Sequence, residues 1–331
     1  MKPRLDIQFP LKRQIQYWCG KEYEPREGEY LVNHARTGIV MALRATLPKG
    51  GRVGVVVYNC HTVANAVANA GCTPFFVDVT EGLRIDVSSI PVDLDAIVVT
   101  NLFGIRNDIA AIRKRLPKAI IIVDNAHGYG LPAEGDFTVY SINQGKFPAL
   151  GPGGILVVSQ KLPTMLQKSI EEQYATLSGY GFVGEVKLFA HMLVKAIAYS
   201  PCFYWLVMKM KKSANPDVHE IVAMKKMAKG VRRLYNVWLP KAEEEIEMQR
   251  KIAAKIDGAF YGDNAFMAIV RTEDPEELKM EFAKRGVETE THFKHCIEWA
   301  REFGYKDGTC PNAESLVKHL LMIPTYCGLG D

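Results

Sequence analysis

Short apolar runs alternate with helical segments across residues 52–158, and this alternation is the clearest pattern in the chain. The runs are rich in Val and Ile, and the segments between them have apolar residues at helical spacing. Such alternation is typical of a parallel β-sheet covered by helices on both faces, so the sequence predicts an α/β fold. The predicted strands are 52–57, 74–79, 95–100, 119–123, 136–141 and 154–158.

The pattern becomes mainly helical over 160–256 and then returns to a strand, a helix and a strand near the end. This change predicts a small C-terminal α+β domain with strands at 265–270 and 287–293. The remaining predicted helices are 36–46, 62–70, 108–115, 242–256 and 275–285. We therefore expect a large domain at 1–240, with a helical insertion at about 161–235, and a small domain at 241–331.

Composition places the chain among ordinary soluble globular proteins, with 48% hydrophobic and 24% charged residues. The net charge of +4 is too diffuse to indicate nucleic-acid binding. The seven cysteines are scattered, form no CxxC pair and follow no export signal. This usage predicts reduced thiols in the cytoplasm and no metal site.

One apolar segment, residues 193–210, bears on membrane association. A spanning helix needs about 20 mostly apolar residues, whereas this segment is interrupted by Lys195, Ser200, Pro201 and Lys209. The interruptions favour a helical hairpin that is buried or that lies against a membrane surface.

Polar residues of the kinds that bind ligands or take part in catalysis follow the predicted strands. Asp124 ends a buried strand, where a carboxylate needs a cationic or hydrogen-bonding partner such as a protonated pyridine nitrogen. Lys146 lies in a Gly-rich loop between two apolar strands and is a candidate nucleophile. Ser141 has a hydroxyl that can bind a phosphate group. Taken singly, each also fits a structural role: a capping aspartate, a solvated lysine and a strand-end serine.

The start of the first long helix is a candidate anion site. Arg36 and Thr37 stand at its N-terminus, where free backbone N–H groups and a hydroxyl can face a phosphate. A plain helix cap is the alternative interpretation of the same two residues.

Together these residues resemble the DegT/DnrJ/StrS family of sugar aminotransferases, which depend on pyridoxal 5'-phosphate (PLP). The resemblance covers most of the chain, and it includes the five-residue spacing from Ser141 to Lys146. The phrases that carry it are VVVYNCHTVANAVANAGCTPFFVDV at 55–79, VVTNLFG at 98–104, VDNAH at 123–127, GVETETHF at 286–293 and LMIPTY at 321–326.

The resemblance implies the aspartate aminotransferase-like (type I) fold of PLP-dependent transferases. It also implies that Lys146 carries the cofactor covalently and moves protons, and that Asp124 pairs with its pyridine nitrogen. His127 would approach the ring hydroxyl. Ser141, Thr37 and the backbone at Arg36 would hold the phosphate.

The chain departs from the family at several positions. Cys60 and His61 stand where an aromatic residue usually stacks on the cofactor, so we expect these two residues at the ring, with His61 as the substitute. The asparagine phrase that reaches the phosphate from a neighbouring subunit is missing, and 224–233 occupies its place. His292, within the family's histidine phrase, is a candidate substrate residue. The chain ends at Asp331, about where a last helix would begin, which leaves open an incomplete C-terminal domain.

The resemblance predicts an enzyme that moves an amino group, taken from glutamate, to a keto sugar linked to a nucleotide diphosphate. Such enzymes serve surface-polysaccharide or secondary-metabolite biosynthesis as homodimers, and the apolar 188–210 region adds peripheral membrane association as a further expectation. Relatives with histidine in place of the lysine are dehydratases, so Lys146 favours transamination. Two alternatives stay open: a PLP-fold protein that only binds or regulates, and another PLP reaction such as sugar dehydration.

Overall fold

The computed structural model describes residues 7, 9–200, 203–204 and 216–326. Its centre is a seven-stranded sheet in which every predicted strand between residues 52 and 158 is present within two residues of its predicted bounds. The strands are β1 (Glu29–Val32), β2 (Arg52–Val56), β3 (Thr73–Val77), β4 (Ala96–Thr100), β5 (Ile120–Asn125), β6 (Phe137–Ser141) and β7 (Gly154–Val158).

The strand order in this sheet is β1-β7-β6-β5-β4-β2-β3. The pairs β2–β3, β2–β4, β4–β5 and β5–β6 are parallel, whereas β7 is antiparallel to both β6 and β1. The prediction of a mixed, mostly parallel sheet is therefore confirmed. The edge strand β1 was not predicted, because four residues, of which only the last two are buried, give too short a pattern.

Both faces of the sheet are covered, as the continuous apolar strands require. On β4, Ile97 and Val99 face one apolar core and Ala96 and Val98 face another. Burying each such branched side chain stabilises the fold by about 1.5–3 kcal/mol, so exposing either face would be costly. The helices that contribute to these cores are α2 (Ala35–Thr46), α3 (His61–Asn69), α4 (Ile109–Arg115) and α5 (Thr164–Thr176).

A third core joins the N-terminal helix to helices that follow the sheet. Tyr17 and Trp238 are both almost fully buried in it. The helices around this core are α1 (Leu11–Cys19), α6 (Gly181–Ala198), α7 (Lys229–Trp238) and α8 (Ala242–Ala253).

The prediction that 160–256 is largely helical is wrong for 216–228, where the structure has no helix. Asn33 explains the difference, because its side chain donates to Ala223 O at 2.6 Å and accepts from Lys225 N at 3.3 Å. These tertiary hydrogen bonds hold the segment extended beside β1, where Lys226 bridges Val32.

The predicted apolar hairpin at 193–210 is described only in part. Helix α6 ends at Ala198, and residues 201–202 and 205–210 lie outside the described residues. Within the described ranges, no helix combines the length and apolar character needed to cross a membrane.

A second, three-stranded antiparallel sheet follows α8, in the order β10-β9-β8. Its strands are β8 (Phe260–Tyr261), β9 (Met267–Arg271) and β10 (Leu320–Pro324). Three helices accompany it: α9 (Pro275–Lys284), α10 (Cys296–Arg301) and α11 (Pro311–His319). The domain boundary at residue 240 stays a prediction.

The predicted strand at 287–293 is wrong. Val287 and Glu290 form isolated bridges instead of a continuous strand, and Glu290 pairs with Met322. Phe293 has φ = 60°, in the left-handed region, so the backbone turns there and leaves the strand path. The place beside β9 belongs to β10 instead.

The small sheet is attached to the large one by a buried carboxylate. Asp78, just beyond β3, accepts hydrogen bonds from Ala313 N at 2.9 Å and from Asn312 N at 3.0 Å. These are N–H groups of the first turn of α11, which have no partner inside the helix. Asp78 therefore caps a helix that lies more than two hundred residues later in the chain.

Candidate active site

The carboxyl ends of the parallel strands surround a cavity of about 250 Å³, which we call the strand-end cavity. Cys60 follows β2, Thr100 ends β4, Asp124 is near the end of β5, and Ser141 ends β6. Open α/β sheets bind ligands outside the carboxyl ends of their strands, because the chain reverses into loops there. Lys146, five residues after Ser141, also lines this cavity.

Asp124 is a buried carboxylate that faces the strand-end cavity with neutral partners. One side-chain oxygen accepts from Ala126 N at 2.9 Å and the other from Thr100 Oγ1 at 3.3 Å. Burial raises the pKa of Asp124 above its usual value, and these hydrogen bonds together with the charge of a protonated Lys146 only partly offset it. A cationic N–H donor in the cavity would lower that cost.

His127 and Lys146 are in direct contact, with His127 Nε2 and Lys146 Nζ 2.6 Å apart. Burial, and secondarily a protonated Lys146, lower the pKa of His127 well below its usual value, so the ring is neutral. Phe103 N donates to Nδ1 at 3.3 Å, which leaves the ring proton on Nε2. The 2.6 Å contact therefore joins Nε2 to Lys146 Nζ and holds this amine at the cavity, where a lysine can react with a carbonyl carbon.

The ring of His127 is held in place by aromatic neighbours. The Phe103 ring stacks against it at 5.1 Å with an interplanar angle of 27°, and the Phe293 ring lies at 5.8 Å with an angle of 9°. These contacts fix the direction of Nε2 and so the position of Lys146.

The N-terminus of α2 forms the opposite side of the strand-end cavity, through His34, Ala35 and Arg36. The N–H groups of Ala35 and Arg36, in its first turn, have no acceptor within the helix, and Arg36 Nε is buried with no partner among the described residues. Gly154 allows this helix start to approach the sheet, because a Cβ there would collide with the backbone of His34 and Ala35. Burial and the charge of Arg36 lower the pKa of His34 to about 4, so His34 is neutral.

Thr37 does not contribute to the cavity wall, which corrects its predicted contact with the phosphate. Its side chain is fully buried, and Oγ1 donates to Asn33 Oδ1 at 2.8 Å. Its backbone N donates to His34 O at 3.0 Å. The hydroxyl therefore supports the turn before α2. The hydroxyl of Ser141 does lie at the cavity, with Asn143 N 3.4 Å away.

Cys60 lines the strand-end cavity, but His61 does not, which corrects the prediction that His61 faces the cofactor ring. The His61 ring packs edge-on against Trp299 at 4.9 Å. Helix α3 begins at His61, and successive residues of a helix point in different directions, so Cys60 and Thr62 face the cavity while His61 faces α10.

His292 lies beside the cavity. Its Nδ1 is 2.9 Å from Glu290 Oε2, and its ring is 5.6 Å from that of His127. The next residue, Phe293, lines the cavity itself. A role for His292 toward substrate stays a prediction.

The cavity residues that sequence reasoning missed include Asn59, Thr100 and Phe293. Asn59 Nδ2 donates to Thr100 Oγ1 at 2.8 Å, and Thr100 in turn donates to Asp124. The strand-end rule that selected Asp124 also applies to Thr100, so it could have been found. Phe293 reaches the cavity only through tertiary packing.

The residues present fit PLP. The buried Asp124 suits a protonated ring nitrogen, Lys146 suits a carbonyl carbon, and the N-terminus of α2 with the unpartnered Arg36 Nε suits a phosphate. These groups line one cavity.

Comparison with known proteins identifies the same chemistry. The model of the DegT/DnrJ/EryC1/StrS aminotransferase family matches residues 30–200, a range that contains Asp124, His127, Ser141 and Lys146. A search of the curated proteins returns no match.

Solved structures with low sequence identity have the same fold. The putative sugar aminotransferase Spr1654 from Streptococcus pneumoniae, in its PLP form, aligns with a TM-score of 0.72 and 16% identity over 99% of this chain and 94% of that one. Sugar aminotransferase CalS13 from Micromonospora echinospora aligns with a TM-score of 0.70 and 15% identity over 98% of this chain and 95% of that one. DesI, solved in the presence of its TDP-sugar product, aligns with a TM-score of 0.64 and 18% identity over 90% of this chain and 75% of that one. The predicted fold of PLP-dependent aminotransferases is thus confirmed.

Proposed function

Because the chain belongs to the DegT/DnrJ/EryC1/StrS aminotransferase family and is therefore a PLP-dependent aminotransferase, we propose that it aminates the keto group of a nucleotide-diphosphate sugar, with glutamate as the amino donor. The observation that carries this proposal is that Lys146, Asp124 and His127 line one cavity at the strand ends. Neighbours of this fold include sugar aminotransferases, and DesI was solved with a TDP-sugar product.

The proposed roles follow from the contacts of each side chain. When bound, PLP supplies an electron sink that stabilises negative charge on the substrate carbon bearing the amino group. Asp124 would hold the pyridine nitrogen, and the N-terminus of α2 with Ser141 would hold the phosphate. Lys146 Nζ would hold and move the proton of that substrate carbon, and His127 would direct Nζ toward it from 2.6 Å.

The setting of the reaction also belongs to the proposal. We place the enzyme in the cytoplasm as a homodimer, in the biosynthesis of surface-polysaccharide or secondary-metabolite sugars. A large domain at 1–240 would carry the cofactor, and 241–331 would form a small C-terminal domain. Peripheral membrane contact through the apolar 188–210 region is a further expectation.

Amination of a TDP-keto-sugar with glutamate tests the function directly, with the amino-sugar product detected by mass spectrometry. We expect product with the parent protein and a loss of at least about 10²- to 10⁴-fold in Lys146→Ala, because this lysine is the proposed acid–base group. Lys168→Ala is the matched control, since Lys168 is an exposed residue of α5, and it should keep the parent's activity.

Other results would select the alternatives. Loss of the sugar's hydroxyl without gain of nitrogen would indicate dehydration. Bound cofactor that no amino acid converts to its amino form would indicate a protein that only binds or regulates. Amination of a non-sugar ketone in place of the keto sugar would contradict the proposed acceptor.

A further inference from the structure

A second cavity, of about 360 Å³, adjoins the strand-end cavity and shares Lys146 with it. We call it the α8 cavity, because Gln249 and neighbouring residues of α8 form one wall. Trp238 at the end of α7, Phe147 in the loop after β6 and Thr325 after β10 also line it. A ligand in the α8 cavity would therefore lie between the large and small sheets, next to the reactive amine.

Gln249 is the unusual residue in this wall. Its side chain is 4% exposed, and its Oε1 atom is fully buried with no hydrogen-bond donor among the described residues. Buried polar side-chain atoms almost always have a partner, because a lone acceptor loses its water without replacement. In the side-chain position shown, Oε1 has almost no surface open to the cavity, so the amide has to turn toward the cavity before a donor on a ligand can reach it.

The chemistry of Oε1 discriminates between the two proposed substrates. A side-chain carbonyl only accepts hydrogen bonds. Glutamate offers two carboxylates, which also only accept, and its ammonium group has to react beside Lys146. A sugar ring offers several hydroxyl donors.

Trp238 supplies the second feature that a sugar ring requires. Its side chain is nearly buried, and its Nε1 donates to Glu245 Oε2 at 2.8 Å, which fixes the indole in the wall. A fixed aromatic side chain offers an apolar surface to the C–H groups of a ring, while the hydroxyls at the ring's edge reach polar groups. Gln249 and Trp238 together thus match a polyhydroxylated ring.

We propose that Gln249 is a specificity-determining residue, whose Oε1 accepts a hydrogen bond from a hydroxyl of the acceptor's sugar ring in the α8 cavity. This inference rests on the proposed function, because it takes the acceptor to be a sugar. It assigns the α8 cavity to the acceptor ring and leaves the amino donor to the neighbourhood of Lys146.

The test compares Gln249→Met with the parent protein, because methionine keeps the length of glutamine and removes its acceptor. The probe is TDP-glucose, which has no keto group to react, and its affinity is measured by calorimetry. We expect binding at least about tenfold weaker in the variant, which corresponds to about 1.4 kcal/mol. Binding of TDP and the KM for glutamate should stay at the parent's values. Gln160→Met, at an exposed glutamine, is the control.

Thermal stability separates this role from a structural one. Replacing an unpartnered buried oxygen by an apolar group removes a desolvation cost, so the ligand-free variant should melt at the parent's temperature or higher. Monodeoxy analogues of the sugar give a second readout. The parent should bind one of these analogues more weakly than TDP-glucose. Gln249→Met should bind that analogue and TDP-glucose with equal affinity.

Three outcomes would overturn the inference. Equal TDP-glucose binding by the parent and Gln249→Met, with amination of the keto sugar intact, would refute it and leave the proposed function standing. A lower melting temperature together with weaker TDP binding would make Gln249 a structural residue. A parent that neither binds TDP-glucose nor aminates a keto sugar would overturn the proposed function, and this inference with it.

Discussion

The strand-end cavity and the α8 cavity meet at Lys146 but are built in different ways. The first takes Thr100, Asp124 and Ser141 from the ends of neighbouring strands. The second takes residues as far apart as Arg13 and Tyr326. The residues that face the cofactor in the first cavity lie within 100–146 on adjacent strands, so the sheet edge brings them together, although Phe293 joins them from a distant segment. The α8 cavity has no such edge, and its wall forms only when distant segments pack.

The two cavities also differ in how their buried polar groups are satisfied. In the strand-end cavity Asp124 retains neutral donors that only partly offset its burial. In the α8 cavity Gln249 Oε1 has no donor among the described residues. A ligand bound in either cavity would raise the free energy of unfolding of the protein, since a ligand that binds only the folded state stabilises that state.

The largest effect of a substitution in either cavity is expected at Asp124. Asp124→Asn keeps the shape but removes the charge proposed to pair with the cofactor, so we expect amination to fall by about 10²- to 10³-fold. Steady-state kinetics with saturating PLP measure this loss. A loss of less than about threefold would contradict the role given to Asp124.

The same variant should not weaken the ligand-free protein. The pKa of Asp124 is raised in the folded state, so its contribution to stability is complete below the unfolded pKa and is lost as pH rises through the folded value. Asp124→Asn should therefore be at least as stable as the parent near neutral pH, and this advantage should vanish in acid. Denaturant unfolding at several pH values measures both limits; a variant weaker at neutral pH would argue against an unfavourable buried charge.

An intermediate effect is expected at Asp78, which attaches the walls of the α8 cavity. Asp78→Ala leaves two first-turn N–H groups of α11 without an acceptor and should lower the free energy of unfolding by about 1–2 kcal/mol. The KM for the keto sugar should rise while the absorbance of the bound cofactor persists, because residues of the small sheet line mainly the α8 cavity. Urea unfolding and kinetics test this, with Asp257→Ala, at an exposed aspartate, as the control.

The smallest effect is expected for the reactivity of Cys60, which reports on the wall of the strand-end cavity. Burial raises the pKa of this thiol, but a hydrogen bond with His61 and the charge of a protonated Lys146 lower it by more. The net result is a pKa below the ordinary value, at about 7. Iodoacetamide labelling should therefore rise about tenfold between about pH 6 and pH 8, and PLP should slow it.

Peptide mass spectrometry resolves the Cys60 site from other cysteines, and Cys60→Ser serves as the control. The pKa values of Cys72, Cys296 and Cys310 are raised, so these thiols should stay unlabelled in the folded protein. Labelling of Cys60 that is independent of bound PLP would show that the cofactor does not cover this wall.

The sequence predicted the part of the molecule that depends on short-range patterns. The runs that form β2 to β7 are continuous and apolar, because both faces of the sheet are buried, and this pattern is visible without tertiary information. Asp124, Ser141 and Lys146 were found because the ends of adjacent parallel strands must meet.

Other predictions failed where a tertiary contact overrides the local pattern. His61 was expected to replace the aromatic residue at the cofactor ring, but the turn of α3 directs it to Trp299. The segment 287–293 alternates like a strand, yet the left-handed backbone at Phe293 turns the chain into the cavity.

By itself, then, the sequence determined the sheet, the strand-end residues and the family, because each depends on spacing along the chain. Only the tertiary structure decided which neighbours face the strand-end cavity and that Gln249 lies buried in the wall of a second cavity, which Lys146 also lines. The physical reason is that a hydrogen bond left unmade, or a helix capped from two hundred residues away as at Asp78, depends on which distant segments come into contact. Local periodicity carries no information about those contacts.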